Sequence, residues 1–124
     1  MKNAFMGLRT CIYRVGDLDE AMAWYAKIFS TEPYFKEAFY VGFDIGGYEL
    51  GLIGEETGDQ PKGGNVLTYW GVEDVQEAYD RLLSAGATEY EKPHNVGGEI
   101  VVGAVKDLWG NVVGVIYNPE FKIG

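Results

Sequence analysis

Apolar positions along the chain follow two different periods. Leu18, Ala21, Tyr25, Ile28 and Phe29 recur three or four residues apart, and so do Val75, Ala78, Tyr79, Leu82 and Leu83. That spacing lays an apolar stripe along one face of a helix. Asp17 and Asp74 precede the two stripes, each with a glutamate three positions later, Glu20 and Glu77, as in a capping box. Gly86 supplies a stop for the second helix, and Pro33 lies just beyond the first. The remaining apolar runs are rich in strand formers. They fall at 10–15 and 66–72 before the helices, and at 40–45, 48–53, 100–105 and 112–117 after them. Gly46-Gly47 joins one pair as a hairpin, and the turn at Trp109-Gly110-Asn111 separates the other. Weaker strands fall at 34–38 and 89–91. Each half therefore reads β-α-β-β-β, and the class is α+β with helices on one side of mixed or antiparallel sheet. The polar, glycine-rich segment GEETGDQPKGG, 54–64, links the halves.

The two halves also share residues. At a constant offset of 57 (17 to 74), Val15, Asp17, Glu20, Ala21, Thr31 and Glu32 recur as Val72, Asp74, Glu77, Ala78, Thr88 and Glu89. This suggests an internal duplication; the alternative is chance matching between two halves that share a strand-to-helix grammar.

Composition narrows the functions open to the chain. A length of 124 residues, 47% of them hydrophobic, suits one domain with a core, with modules at about 5–54 and 64–119. No apolar run approaches the roughly 20 residues of a membrane span, and MKNAFMGLRT does not read as a signal peptide. The single cysteine, Cys11, fits a reducing cytoplasm. A net charge of -9 argues against nucleic acid and anionic membrane as partners.

The segments VGDLDEAMAWY and DLWGN, set in tandem β-α-β-β-β modules, resemble the vicinal oxygen chelate superfamily. That group includes glyoxalase I, extradiol dioxygenases, and bleomycin- and fosfomycin-resistance proteins. The resemblance covers about residues 10–119; Leu108 departs from it, standing where proline is common. It implies that the two modules form a cup-shaped mixed sheet with the helices outside, and that the protein is a homodimer. In metal-dependent members four strands aim His or Glu at one divalent metal. The matching positions here are Thr10, Gly51, Leu67 and Gly114, with Glu49 substituting for Gly51 under a shifted register. A divalent metal needs imidazole, thiolate or carboxylate donors, three or four of them, and this set lacks them. No metal and no cofactor are expected.

Strand alternation then says what faces the cup. Thr10, Ile12 and Arg14 share one face of their strand; Leu67, Tyr69 and Gly71 share another. Glu49, Gly51 and Ile53 do so on a third, and Val112, Gly114 and Ile116 on the last. Glycines 51, 71 and 114 leave room for a cavity, or mark bulges. A bland alternative pairs Arg14 with Glu49 and fills the cup with side chains. Trp109, with Phe35 or Phe39, is placed to stack on a flat ligand or to line a dimer interface. The candidate ligand-binding set is Thr10, Ile12, Arg14, Glu49, Gly51, Leu67, Tyr69, Trp109 and Gly114. His94, in KPHNVGG, reads as a solvent-facing loop histidine, with a pH-sensitive role as the sharper alternative. Cys11 reads as a buried small hydrophobe, and neither a nucleophile elbow nor a GxGxxG stands in the chain. No residue is assigned a catalytic role.

Three functions compete. The leading one is metal-free binding of a small organic molecule, cationic or aromatic, favoured by the acidic charge. The second is a superfamily lyase, isomerase or dioxygenase using a displaced metal, or Glu49 with Tyr69 as acid and base. The third is a non-catalytic partner or regulatory module with a vestigial cleft.

Overall fold

Both helices begin where the aspartates place them. Asp17 is extended and its carboxylate accepts the Glu20 N–H at 2.9 Å, opening helix α1 (Leu18–Phe29). Asp74 does the same for the Glu77 N–H at 3.0 Å, opening helix α2 (Val75–Ser84). Gly86, at φ +105°, follows the last turn of α2, a backbone region that glycine enters without strain. The end of α1 is closed instead by Ser30 at φ +52°.

The computed structural model describes residue 4 and residues 6–54, 62–63 and 66–121. Most of the linker expected at 54–64 lies outside the described residues. The chain divides into two units, Met1–Gln60 and Pro61–Gly124. The first unit runs β1 (Thr10–Val15), α1, β2 (Phe35–Lys36), β3 (Tyr40–Ile45) and β4 (Tyr48–Gly54). The second runs β5 (Tyr69–Gly71), α2, β6 (Thr88–Gly97), β7 (Ile100–Lys106) and β8 (Val112–Tyr117). Each unit is β-α-β-β-β, and the fold is α+β with two open, mixed four-stranded sheets, ordered β1-β4-β3-β2 and β5-β8-β7-β6. In each, the strand before the helix pairs in parallel with the last strand of its unit, and the other pairings are antiparallel.

The two sheets correspond in register. Ile12 stands opposite Gly51 in the first sheet, and Tyr69 opposite Gly114 in the second. Each sheet buries one face beneath its own helix. In the first unit Tyr13, Val15, Val41, Phe43, Leu50 and Leu52 meet Leu18, Ala21 and Tyr25 there, with Tyr25 stacked on Tyr13 at 5.8 Å between ring centroids. In the second, Trp70, Val105, Val113 and Val115 lie under Val75, Tyr79 and Leu82.

Two strands differ from expectation. The run expected at 66–72 pairs only over Tyr69–Gly71. The segment around His94, expected as a loop, belongs to the ten-residue β6. Pro93 and the closing glycines read as loop signals, but β6 is the sheet edge and its pairing to β7 carries three register irregularities. An edge strand tolerates a residue with no N–H to donate, and bulges absorb the misfit.

Candidate functional site

Between Ile45 and Tyr48 the hairpin has only two loop residues, Gly46 at φ +61° and Gly47 at φ +92°, and the Asp44 carboxylate accepts the Gly47 N–H at 2.8 Å. A two-residue turn fixes register. It sets Asp44 opposite Glu49 and Gly42 opposite Gly51. Across the open face of the first sheet this makes three rows. Thr10, Glu49 and Asp44 form one; Ile12, Gly51, Gly42 and Phe35 the next; Arg14, Ile53 and Tyr40 the third.

The glycine row is occupied. A Cβ on Gly51 would overlap the Tyr40 hydroxyl and come within 2.9 Å of its Cζ. A Cβ on Gly42 would lie 2.7 Å from Glu49 Oε2 and 3.2 Å from Tyr34 Cε1. Gly51, expected to open a cavity, and Gly42 opposite it instead let two tyrosine rings approach the backbone. Their hydroxyls converge on Glu49. Tyr34 donates to Oε2 at 2.5 Å, Thr10 donates to Oε1 at 2.9 Å, and the Tyr40 hydroxyl also bonds the carboxylate. The Tyr34 bond is the main reason Glu49 titrates below the ordinary glutamate range, with Thr10 and Tyr40 adding to it against partial burial. Conversely, burial first and the Glu49 bond second push Tyr40 up to about 12. Tyr34 is raised mainly by its bond to Glu49. Phe35 continues the aromatic series, 6.3 Å from Tyr34 and 6.2 Å from Tyr40 between ring centroids.

The second sheet repeats the device. A Cβ on Gly114 would lie 2.6 Å from Tyr69 Cδ1 and 2.7 Å from the Thr68 carbonyl oxygen. The Tyr69 ring crosses the row formed by Gly114, Ala104 and Glu91, and donates its hydroxyl to Glu91 at 3.0 Å. Burial, then that bond, raises its pKa. The ring of His94 lies exposed on β6, with Nε2 3.6 Å from Glu91 and Nδ1 2.7 Å from the Lys92 carbonyl. Gly71 alone of the three expected cavity glycines has nothing within 4 Å of a built Cβ.

The turn DLWGN is a structural clasp. Buried Asp107 accepts the N–H groups of Trp109 and Asn111 at 2.9 and 2.8 Å, and the Asn111 side-chain amide at 2.9 Å. Trp109 sits half-buried at its tip, and Leu67 is exposed before β5. The nine candidate residues thus divide. Thr10, Ile12, Arg14, Glu49 and Gly51 share the open face of the first sheet, whereas Leu67, Tyr69, Trp109 and Gly114 belong to the second unit. In place of the alternative Arg14–Glu49 pairing stands the hydroxyl triad, with Glu49 opposite Thr10 and Arg14 opposite Ile53. The candidate set from strand alternation left out Tyr34, Tyr40 and Glu91, and with them the Tyr69–Glu91 bond. Cys11 is half-buried on its strand.

Two β-α-β-β-β units, each with a parallel outer pairing, define a two-module α+β protein. The chain belongs to the Glyoxalase/Bleomycin resistance protein/Dioxygenase superfamily, whose family model matches residues 7–115. Solved structures agree on the fold. A glyoxalase-related enzyme from Fulvimarina pelagi superposes with a TM-score of 0.79 at 18% identity, over 97% of this chain and 94% of that one. A lactoylglutathione lyase from Agrobacterium tumefaciens gives 0.73 at 20% identity, over 94% and 98%. A genomically encoded fosfomycin resistance protein from Listeria monocytogenes gives 0.74 at 16% identity, over 96% and 97%. No curated protein sequence gave a significant match. Among the described residues, no helix is long and apolar enough to cross a membrane.

Proposed function

We propose that this protein binds a small organic molecule without a metal, in the manner of a glyoxalase/bleomycin-resistance type binding protein. One observation carries the reading: the positions where metal-dependent relatives place their ligands hold Thr10, Gly51, Leu67 and Gly114, and tyrosine rings cover both glycines. Three of those side chains offer no donor atom, and the fourth offers a hydroxyl already donated to Glu49. Glu49 itself, the substitute ligand, is held by three hydroxyls. The exposed Ile12, Tyr34 and Phe35 give the first sheet an apolar and aromatic surface with few polar groups, the usual make-up of a small-molecule site. The acidic charge of -9 favours a cationic ligand. Two members of the superfamily with this fold are named as a lyase and a resistance protein. A general-base role for Glu49 is the weaker reading, because hydroxyl bonds that lower its proton affinity make it a poorer base. We also propose a homodimer in the cytoplasm.

Native mass spectrometry of gently purified protein, with a thermal-shift panel of aromatic cations, tests this. The expected result is a dimer without stoichiometric divalent metal and melting shifts that survive EDTA. A stoichiometric metal whose removal abolishes binding, or no shift across the panel, overturns it.

A further inference from the structure

The open face of the first sheet carries one carboxylate surrounded by rings. Glu49, Tyr34 and Tyr40 all come within 3.4 Å of a Cβ built on Gly42, and Phe35 stands directly opposite that glycine in register. Gly42 is therefore a floor on which a carboxylate and three aromatic rings converge. The groups that hold Glu49 are neutral hydroxyls, so its bonds orient the charge without cancelling it. The guanidinium of Arg9, whose carbonyl accepts the Glu49 N–H at 2.8 Å, turns back onto the Met6 and Leu8 carbonyls. Arg14 stands two rows away, opposite Ile53. Asp44, beside Glu49 in its row, adds a second negative charge. Tyr34 is 63% exposed and Phe35 44%, so their rings are open to a ligand.

An oriented carboxylate with aromatic rings beside it is the chemistry that recognises an organic cation, by Coulomb attraction and by the negative faces of the rings. We infer that Glu49, Tyr34, Phe35 and Tyr40 form a subsite for the cationic head of the ligand, an amine or quaternary ammonium. The inference rests on the small-molecule binding reading and assigns to it a place and a charge. Tyr34 acts twice here: its hydroxyl aims Glu49, and its ring offers a face to the cation. Glu49 supplies the selectivity, because a neutral molecule of the same shape gains nothing from the carboxylate.

The test is an NMR titration of the full chain at fixed 0.15 M salt, which screens diffuse attraction to the acidic surface. The probes are choline and its uncharged isostere 3,3-dimethylbutan-1-ol. Choline is expected to move the Gly42 and Glu49 amide resonances saturably, and the isostere at least about tenfold more weakly. Glu49→Gln should remove the choline response while the remaining spectrum keeps its dispersion. Tyr34→Phe, which keeps the ring but loses the hydroxyl that aims Glu49, should weaken it, and Tyr34→Leu, which loses both at an exposed position, should weaken it further. Equal responses to both probes, or choline shifts unaltered in Glu49→Gln, would overturn the cation subsite. So would silence toward choline in a protein that gives hits in the thermal-shift panel, and the binding function would then stand without it. Silence in both experiments removes the binding function itself.

Discussion

Replacing Gly51 by alanine separates an open cleft from a tyrosine-filled one. The new Cβ would overlap the Tyr40 hydroxyl and crowd its Cζ and Cε1, at 2.9 and 3.0 Å. Those atoms are the far end of a side chain, so the ring moves rather than the strand. On moving it gives up its hydroxyl bond to Glu49. A hydrogen bond to a charged group contributes about 1.5–3 kcal/mol, and the half-exposed setting places this one near the lower figure. Overpacking strain adds about 1–3 kcal/mol. The lower unfolded-state entropy of alanine returns about 0.4–1 kcal/mol. The net expectation is a loss of about 2 kcal/mol, or roughly 8 °C in Tm for a chain of this size. Urea denaturation of Gly51→Ala, Tyr40→Ala and the double variant closes a cycle. In the Tyr40→Ala background the same glycine replacement should be neutral or stabilising by about 0.5 kcal/mol. An equal cost in both backgrounds would refute the ring-over-glycine packing. Unchanged stability of the single variant, with ligand affinity lost, would show that position 51 faces open space.

Gly71→Ala is the control, since nothing lies within 4 Å of its Cβ; stability should hold or rise by about 0.5 kcal/mol in the same denaturation assay. Asp107→Ala strips three hydrogen-bond donors of their acceptor in a buried turn, and thermal unfolding should show a loss of about 3 kcal/mol. In alkali, Tyr40 and Tyr79 both lie near 12, raised first by burial, whereas unfolded tyrosine titrates near 10. The folded state therefore holds these protons more tightly, their contribution is complete below about pH 10, and it is lost as pH rises from there through about 12; Tyr79→Phe should flatten that fall in a denaturant–pH series. In acid the sign reverses: Glu49 is lowered, so its contribution is present above the ordinary glutamate range and fades as pH falls through its folded value. Glu49→Gln should remove that fraction of the acid dependence.

The sequence made the skeleton legible because its signals are local. Aspartate caps, apolar stripes and the Gly46-Gly47 turn each act within a few residues, and they place α1, α2, β3 and β8 within a residue of their observed bounds. Strand β6 was expected only at 89–91, and its continuation to Gly97 escaped because its proline and glycine imitate a loop, and an edge strand forgives both. The site was half legible for a related reason. Alternation placed Thr10, Glu49 and Gly51 together correctly, but it says nothing of what lies above a glycine. That depends on cross-strand register, and the register was within reach. A two-residue turn at Gly46-Gly47 puts Gly42 opposite Gly51, and alternation puts Tyr40 on the same face as Gly42. A pair of facing glycines flanked by tyrosine argues for a ring on the backbone as strongly as for a hole.

The recurrence of that device in the second unit carries the likeness of the two halves further than sequence identity does. Thr10 and Glu49 have no polar counterpart at Leu67 and Val112, yet Tyr69 still lies over Gly114 and still donates to a carboxylate, Glu91. The partner comes from a different strand, so the matching residues are not inherited position by position. What the two sheets share is a physical solution. Two modules that lack metal donors at the middle of their sheets must put something else there, and each supplies a tyrosine ring tied down by a glutamate. The difference between them then defines the roles. In the first unit the carboxylate has three hydroxyl donors and a row of exposed aromatics beside it. In the second it is shared with an exposed histidine. A pre-aimed charge among open rings suits holding a ligand, whereas the Glu91 carboxylate is already engaged by the Tyr69 hydroxyl and the His94 ring. Ligand affinity assigned to Glu49 should therefore persist in His94→Gln and in Glu91→Gln, and a binding titration in which either replacement removes the response would refute this division of roles.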